Sequence, residues 1–298
     1  MAHQTEYAGA VALVTGGASG IGRALAEGCA ARGSEVVLAD RQIDLARSVA
    51  EGIRGRGGKA DAVALDVRDA DAFEAVAADV VARRGRIDLF FNNAGIAIAA
   101  EASDYDRADW DDLLDVNVRG IVYGIQAIYP RMVAQGGGHI VNTASMAGLI
   151  PVPGGVGYSL SKHGVVGMSK ALRVEAAIHG VRVSALCPGV VRTPILEGGE
   201  YGRYEKAGMD EATMRTFWER LRPMAPETFA EQVLRDVAAN TPYIIVPRWW
   251  KALWLLERLA PRLSLRLAKA AHAHGRGLVD ARASEGEQRA ATPDEHRA

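Results

Sequence analysis

Short β-branched runs that alternate with Ala-rich helical stretches constrain this chain more than any other feature. AVALVT (10–15), EVVLAD (35–40), AVALD (62–66), IDLFFN (87–92), HIVNTAS (139–145), VRVSALC (181–187) and YIIVP (243–247) all read as strands. They are apolar almost throughout, as suits a sheet covered on both faces. Between them, RALAEGCAAR (23–32) and DAFEAVAADVVARR (71–84) carry amphipathic helical spacing. The expected fold class is α/β: a doubly wound, Rossmann-type parallel sheet of about seven strands with helices on both faces. Right-handed crossovers then leave a crevice at the carboxyl ends of the strands, where the strand order reverses. No repeat or linker interrupts the pattern before residue 247, so residues 1–247 are expected to form a single domain.

Composition adds exclusions. A formal net charge of −1 over 298 residues offers no basic field for nucleic acid. Cys29 and Cys187 lie far apart in apolar runs. They supply neither a disulfide framework nor a metal cluster, so a cytoplasmic location and no metal are expected. His139 and His163 have no metal-type partner at helical spacing and read as structural. The start, MAHQTEYAGA, lacks the basic and apolar regions of a signal peptide. No run approaches the roughly 20 apolar residues that span a bilayer.

"TGGASGIG" (15–22) follows the first strand and opens a helix. In that context Gly16 allows the turn, Gly20 lets backbone approach a pyrophosphate, and Gly22 lets helix and strand pack closely. The helix start supplies free N–H groups and a partial positive charge to phosphates. Asp40 closes the second strand 18 residues after Gly22, near the distance at which an acid meets an adenine ribose. A carboxylate accepts from a ribose 2′-OH and repels a 2′-phosphate, which favours NAD. Arg41 and Arg23 can each reach a 2′-phosphate, which leaves NADP open.

Tyr158 and Lys162 stand four residues apart in the helical pattern YSLSKHGVVGMSKALRVEAA, on one face and one turn apart. They follow the fifth strand, whose end carries Ser145 in "NTASMAG". A free phenol has a pKa of about 10, and bringing it to about 7 needs roughly 4 kcal/mol of preferential phenolate stabilisation. A nearby ammonium, together with an oxidised nicotinamide, can supply that by charge. Taken singly, Ser145 could cap a turn and Thr193-Pro194 could start a helix.

Over residues 9 to about 247 the sequence resembles the short-chain dehydrogenases/reductases. The resemblance rests on TGGASGIG, LDV (65–67), NNAG (92–95), the asparagine of DVNVRG, the Ser145–Tyr158–Lys162 set and PGVVRTP (188–194). It implies that Tyr158 is the general acid/base and that Ser145 holds the substrate oxygen. Lys162 would bind the nicotinamide ribose and tune Tyr158, while Asn117 would anchor a relay water. Asp66 would meet the adenine amine, Asn92 would lie beside the adenosine ribose, and Thr193 would partner the carboxamide. Ser19, Ile21 and Val67 join the implied cofactor contacts from the first two motifs. Ala94 and Gly95 join them from NNAG, and Pro188, Gly189 and Val191 from PGVVRTP. The family likeness also implies a homo-oligomer, dimer or tetramer, with the helices after Trp110 and Tyr158 at one interface.

The expected reaction is hydride transfer between nicotinamide and a hydrophobic secondary alcohol or ketone. The largely apolar IAIAA (96–100), MAGLIPVPGG (146–155) and VVRTPILEGG (190–199) are its expected pocket. Residues 196–225 read as a substrate lid. A catalytically silent dinucleotide-binding protein is the non-enzyme alternative, and it would be expected to lack the serine, tyrosine or lysine. Residues 248–274 form a basic, aromatic, amphipathic extension. It is expected to pack on its own domain or a partner subunit, with a membrane interface through Trp249, Trp250 and Trp254 as the other reading. Pro261 should break it into two helices. Residues 275–298 are polar, small and read as disordered.

Overall fold

Ala12 and Val14 of β1 (Val11–Thr15) are buried in one hydrophobic layer, while Val11 and Leu13 are buried in another. The strand therefore needs apolar residues at both parities, which is why its sequence shows no alternation. The computed structural model describes residues 6–199, 201–207 and 211–273. After β1 come α1 (Gly20–Ala30), β2 (Glu35–Asp40), α2 (Ile43–Gly55), β3 (Lys59–Ala64) and α3 (Ala70–Arg84). Then follow β4 (Leu89–Asn92), a short β5 (Ala97–Ile98), α4 (Arg107–Leu114), α5 (Gly120–Ala134), β6 (Gly138–Thr143) and α6 (Val156–Ala176). The chain continues through β7 (Val181–Pro188), a short β8 (Gly202–Arg203), α7 (Glu211–Arg220), α8 (Pro226–Ala238), β9 (Tyr243–Val246) and α9 (Trp250–Leu259).

Seven strands form one sheet in the order β3-β2-β1-β4-β6-β7-β9, and every pairing in it is parallel. Helices α1, α2 and α8 cover one face; α3, α5 and α6 cover the other. The order reverses between β1 and β4, and the crevice lies beyond their carboxyl ends. Local chemistry sets the helix ends. Asp69 caps α3 by accepting from the Ala72 amide at 2.9 Å, and Gly85 closes it at φ +79°, where only glycine is unstrained.

Two boundaries shift from the sequence reading. β3 spans 59–64 rather than 62–66, because β2 ends at Asp40 and pairs residue for residue from Glu35↔Lys59 to Asp40↔Ala64. β6 ends at Thr143 opposite Leu186, so Ser145 stands just past the sheet, at the mouth of the crevice. The short parallel pair β5–β8 is an element the sequence reading does not contain.

In the extension, α9 stops at Leu259 and a second helix runs over 261–273. Ala260 between them leaves the helical region, at φ −141° and ψ 62°, since the following proline disfavours helical backbone there. Trp250 is buried and packs with Cys187, Val190 and Ile245; a Cβ on Gly189 would lie 2.1 Å from its indole nitrogen. Trp254 lies against Tyr243, with ring centroids 5.4 Å apart. Two of the three tryptophans assigned to a membrane interface therefore pack on the chain's own domain, and Trp249 alone of the three is exposed. No helix among the described residues is long and apolar enough to cross a membrane. The tail read as disordered, 275–298, lies outside the described residues.

Candidate functional site

The glycine loop leaves no room for side chains. A Cβ on Gly22 would sit 2.0 Å from the Gly16 carbonyl oxygen, and one on Gly20 3.1 Å from Thr193 Cγ2. Gly16 and Gly20 adopt φ +63° and +51°, which L residues rarely tolerate. Ser19 is the N-cap of α1 but makes no side-chain cap bond, and the first turn carries no acid. Its first-turn amides are thus uncapped by the Ser19 side chain, and the Thr193 loop faces them across the crevice. A tight backbone cradle against an uncapped helix start fits a pyrophosphate. Ile21 packs into the layer beneath.

Asp40 is buried and bridges the loop to the next turn: one oxygen accepts from the Ala18 amide at 3.0 Å, the other from the Gln42 amide at 2.9 Å. Each oxygen keeps a second acceptor site, so the bridge and a ribose bond are compatible. Arg41 lies near enough to Asp66 to help hold its carboxyl below the ordinary range, though the Arg68 guanidinium does most of this. Both Asp66 oxygens meet Arg68. Arg23 is engaged by Glu27 one turn on, at 3.2 Å.

The structure separates the two asparagines of NNAG. Asn92 is buried beneath the sheet end, donating to the Ile121 carbonyl at 2.9 Å and to Asn142 at 3.3 Å. Its side chain is spent in the core, so any ribose contact falls to its backbone. Asn93, which the sequence reading passed over, ties strand ends together: Nδ2 donates to the Thr15 carbonyl and Oδ1 accepts from Thr143. Thr15 Oγ1 accepts from the Asn93 and Ala94 amides. Gly95 stands between Asn117 and Lys162; a Cβ there would lie 3.0 Å from Asn117 Oδ1 and 3.3 Å from Lys162 Nζ. Val67 is the wall against which Gly120 packs.

Between α4 and α5 the helix widens into a π turn, Asp115–Arg119, a distortion frequent at functional sites. It carries Asn117, whose side chain is fully buried. Oδ1 accepts from the Ile96 amide, and Nδ2 donates to the Ile96 carbonyl and to Ser161 Oγ. Both donors are used, so the side chain fixes the loop after β4 and has no N–H left for a water. Ser161, a second residue missed in sequence, also donates to the Tyr158 carbonyl at 2.7 Å.

Ser145 caps a turn, as its residue type allows, and stands beside Tyr158. Its hydroxyl caps the turn Met146–Gly148, accepting from the Ala147 amide at 3.1 Å, and it lies near enough to Tyr158 to favour the phenolate. Lys162 is buried, donates to the Thr143 carbonyl at 3.0 Å, and lies 5.6 Å from the Tyr158 ring centroid. The titration of the pair departs from expectation. Burial raises the Tyr158 phenol above its ordinary 10, and the Ser145 hydroxyl offsets only part of this. Burial also pushes the Lys162 ammonium down to about 8, with the Cys187 thiol opposing. The protein groups alone do not make the phenol acidic: desolvation outweighs the Ser145 effect, and the neighbouring cation is itself desolvated.

At the end of β7, Pro188 is the last paired residue, and Val191 is buried and bridges to Met224. Thr193 is buried against Gly20. Of the expected pocket segments, Met146, Leu149, Ile150, Val190 and Leu196 gather with Trp218 in one apolar cluster. Ile96, Ile98, Ala100 and Trp110 pack with Tyr158 in another. Tyr204 lies within electrostatic range of Tyr158, which with burial raises its phenol, and its ring is 6.2 Å from Trp218.

Residues 10–200 match the family model described as short chain dehydrogenase. D-threitol dehydrogenase of Mycolicibacterium smegmatis is 42% identical over 187 residues, 63% of this chain and 72% of that protein. The oxidoreductase SadH of Mycobacterium tuberculosis is 33% identical over 269 residues, 89% of this chain and 96% of that one. A short chain dehydrogenase/reductase from Burkholderia phymatum, crystallised in complex with NAD, superposes with a TM-score of 0.76 at 30% identity. That likeness covers 87% of this chain and 96% of the other. The seven-stranded doubly wound sheet, the glycine cradle and these matches together make the chain a member of the short-chain dehydrogenase/reductase family.

Proposed function

We propose that this protein is an NAD(P)-dependent oxidoreductase that interconverts a hydrophobic secondary alcohol and its ketone. The observation that carries this reading is the pair of neighbouring hydroxyls, Ser145 and Tyr158, close enough for Ser145 to favour the phenolate, with Lys162 beside them, at the strand ends that also bear the glycine cradle. When bound, oxidised nicotinamide supplies the hydride acceptor and a positive charge. Gly16, Ser19, Gly20 and Ile21 would hold the pyrophosphate, Asp40 the adenosine ribose, and Lys162 and Thr193 the nicotinamide end.

In oxidation, Ser145 and Tyr158 receive the alcohol oxygen between them, and Tyr158 takes its proton. Ser145, anchored by its turn, holds the oxygen in place. In reduction the same two hydroxyls donate to the oxygen as negative charge grows on it. Because the protein groups alone leave the phenol weakly acidic, its activation depends on added positive charge at Lys162 and the nicotinamide end. Lys162 is mostly charged below its pKa of about 8.

The cofactor is NAD rather than NADP in this reading. Asp40 disfavours a 2′-phosphate, and Arg23 is already engaged by Glu27; Arg41 is the group that supports an NADP-preferring carbonyl reductase. The pocket walls from Met146, Leu149, Val190, Leu196 and Trp218 suit an apolar substrate. The lid, 196–225, is held by Tyr201, which donates to Gln42 at 2.6 Å, and by Lys206, which meets Asp106 and Asp109. Self-association is proposed through α6 and the turn that follows it, where Val174 and Ile178 are exposed. A screen of secondary alcohols and ketones with NAD(H) and NADP(H), read by nicotinamide absorbance, tests the assignment. Absence of turnover with every hydrophobic alcohol and ketone would refute it.

A further inference from the structure

We propose that the helices 250–259 and 261–273 dock this protein on an anionic lipid surface. The second helix is built inside out for a water-facing element. Ser264 is buried, and Ala260, Ala268 and His272, each four residues from the next, are half-buried. The leucines face away: Leu259 is 82% exposed, Leu265 56% and Leu267 53%, with Leu255 and Leu263 also exposed. A helix partnered only by water and its own domain would do the reverse, and a cluster of exposed leucines marks a surface that meets something apolar.

Charge chooses among partners. From 248 to 273 the extension has six Lys or Arg residues and a single acid, Glu257. Arg248 pairs with Asp236, but among the described residues no ion pair is formed by Lys251, Arg258, Arg262, Arg266 or Lys269. A second copy meeting the same face across a two-fold axis would set these cations against each other. Arg258 lies over the Trp254 ring, 5.6 Å from its centroid; leucines flanked by cations without carboxylate partners match the acyl and headgroup layers of an anionic bilayer, with the exposed Trp249 at its boundary. His272, on the inward face, lies 3.5 Å from Glu101, just after β5, so the docked helix adjoins the loop beside the substrate pocket. A lipid-borne substrate would arrive there; that consequence rests on the proposed function, whereas docking does not.

Co-sedimentation of the full chain with phosphatidylcholine vesicles, with and without phosphatidylglycerol, tests the docking. The protein should pellet with the anionic vesicles, remain mostly soluble with the neutral ones, and release as salt is raised. R262Q/R266Q should lower the apparent partition roughly 25-fold, at about fivefold per basic residue, and L263S/L267S should abolish pelleting. Both variants should keep turnover on a water-soluble alcohol and an unchanged melting curve, which separates failed docking from failed folding or chemistry. No pelleting of the parent chain, or equal pelleting with neutral vesicles, would overturn the proposal. So would an L263S/L267S variant that changes oligomeric state while the parent ignores vesicles, which would make the face a contact between copies.

Discussion

Lys162 holds its ammonium nitrogen 5.6 Å from the centroid of the Tyr158 ring while donating to the Thr143 carbonyl. The sheet end, rather than solvent, thus fixes the cation beside the phenol. Burial lifts the Tyr158 pKa and depresses that of Lys162 to about 8, so each group resists its charged form. Removing the cation leaves only Ser145 to oppose desolvation. Lys162→Met should shift the ascending, acid-side limb of alcohol oxidation upward by about one pH unit or more. The pH profile of kcat/KM checks this, and an unmoved limb would show that Lys162 does not tune the proton acceptor.

Tyr158→Phe removes the proton acceptor and keeps the ring within its apolar cluster of Ile98, Tyr105 and Leu113. Fold and dinucleotide affinity should be nearly unchanged, while kcat falls about 10²–10⁴-fold. Fluorescence titration with NADH alongside steady-state turnover separates the two. Turnover near the parent level would remove Tyr158 from the acid/base role.

Asp40 joins the glycine loop to the β2–α2 turn through two backbone amides. Asp40→Ala leaves both donors without their acceptor, at a cost of roughly 1–3 kcal/mol in stability. It also removes the charge that repels a 2′-phosphate. KM for NAD should rise while kcat/KM with NADP improves relative to NAD. Kinetics with both cofactors and a urea melt test the two halves, and an unaltered cofactor ratio would free Asp40 from the selectivity role.

The layers and the site were legible because strands buried on both faces cannot hide their apolar runs, and because Ser145, Tyr158 and Lys162 lie at strand and helix positions the topology brings together. Roles that depend on where a side chain points were not legible. Asn92 and Asn93 are neighbours with the same chemistry, yet the strand pleat sends Asn92 into the core and Asn93 across the strand ends. Ser161 gave no signal beyond lying one turn from Tyr158 on α6. The sign of the Tyr158 shift was also hidden, because spacing reports the cation and is blind to burial.

Lys206 reaches from the proposed lid to Asp106 and Asp109 at 2.8 and 2.6 Å, the residues that form the capping box of α4. Beside it Arg203 pairs with Asp112 at 2.7 Å. These partly exposed pairs add little to global stability, but they pin β8 against β5. Lys206→Ala should leave the melting temperature nearly unchanged, speed proteolysis within 196–225, and raise substrate KM a few-fold with kcat held. Identical cleavage rates with and without cofactor and substrate would remove the lid assignment.

His139 is fully buried on β6, with Nε2 2.9 Å from Ser184 Oγ and Nδ1 unpaired. Burial, reinforced by Arg182 and Arg173, pushes its pKa down to about 3 from an ordinary 6.5. In this window the unfolded chain binds a proton that the folded chain refuses, so stability is complete above pH 6.5 and is lost as pH falls toward 3. At about 1.4 kcal/mol per unit, moving from pH 6.5 to 4.5 should cost roughly 3 kcal/mol through this residue. His139→Asn keeps a polar partner for Ser184 and cannot protonate. Urea unfolding at both pH values should show the variant less stable than the parent near neutrality, with a shallower decline in acid. Parallel declines in the two proteins would mean that His139 protonates in the folded state and takes no part in acid unfolding.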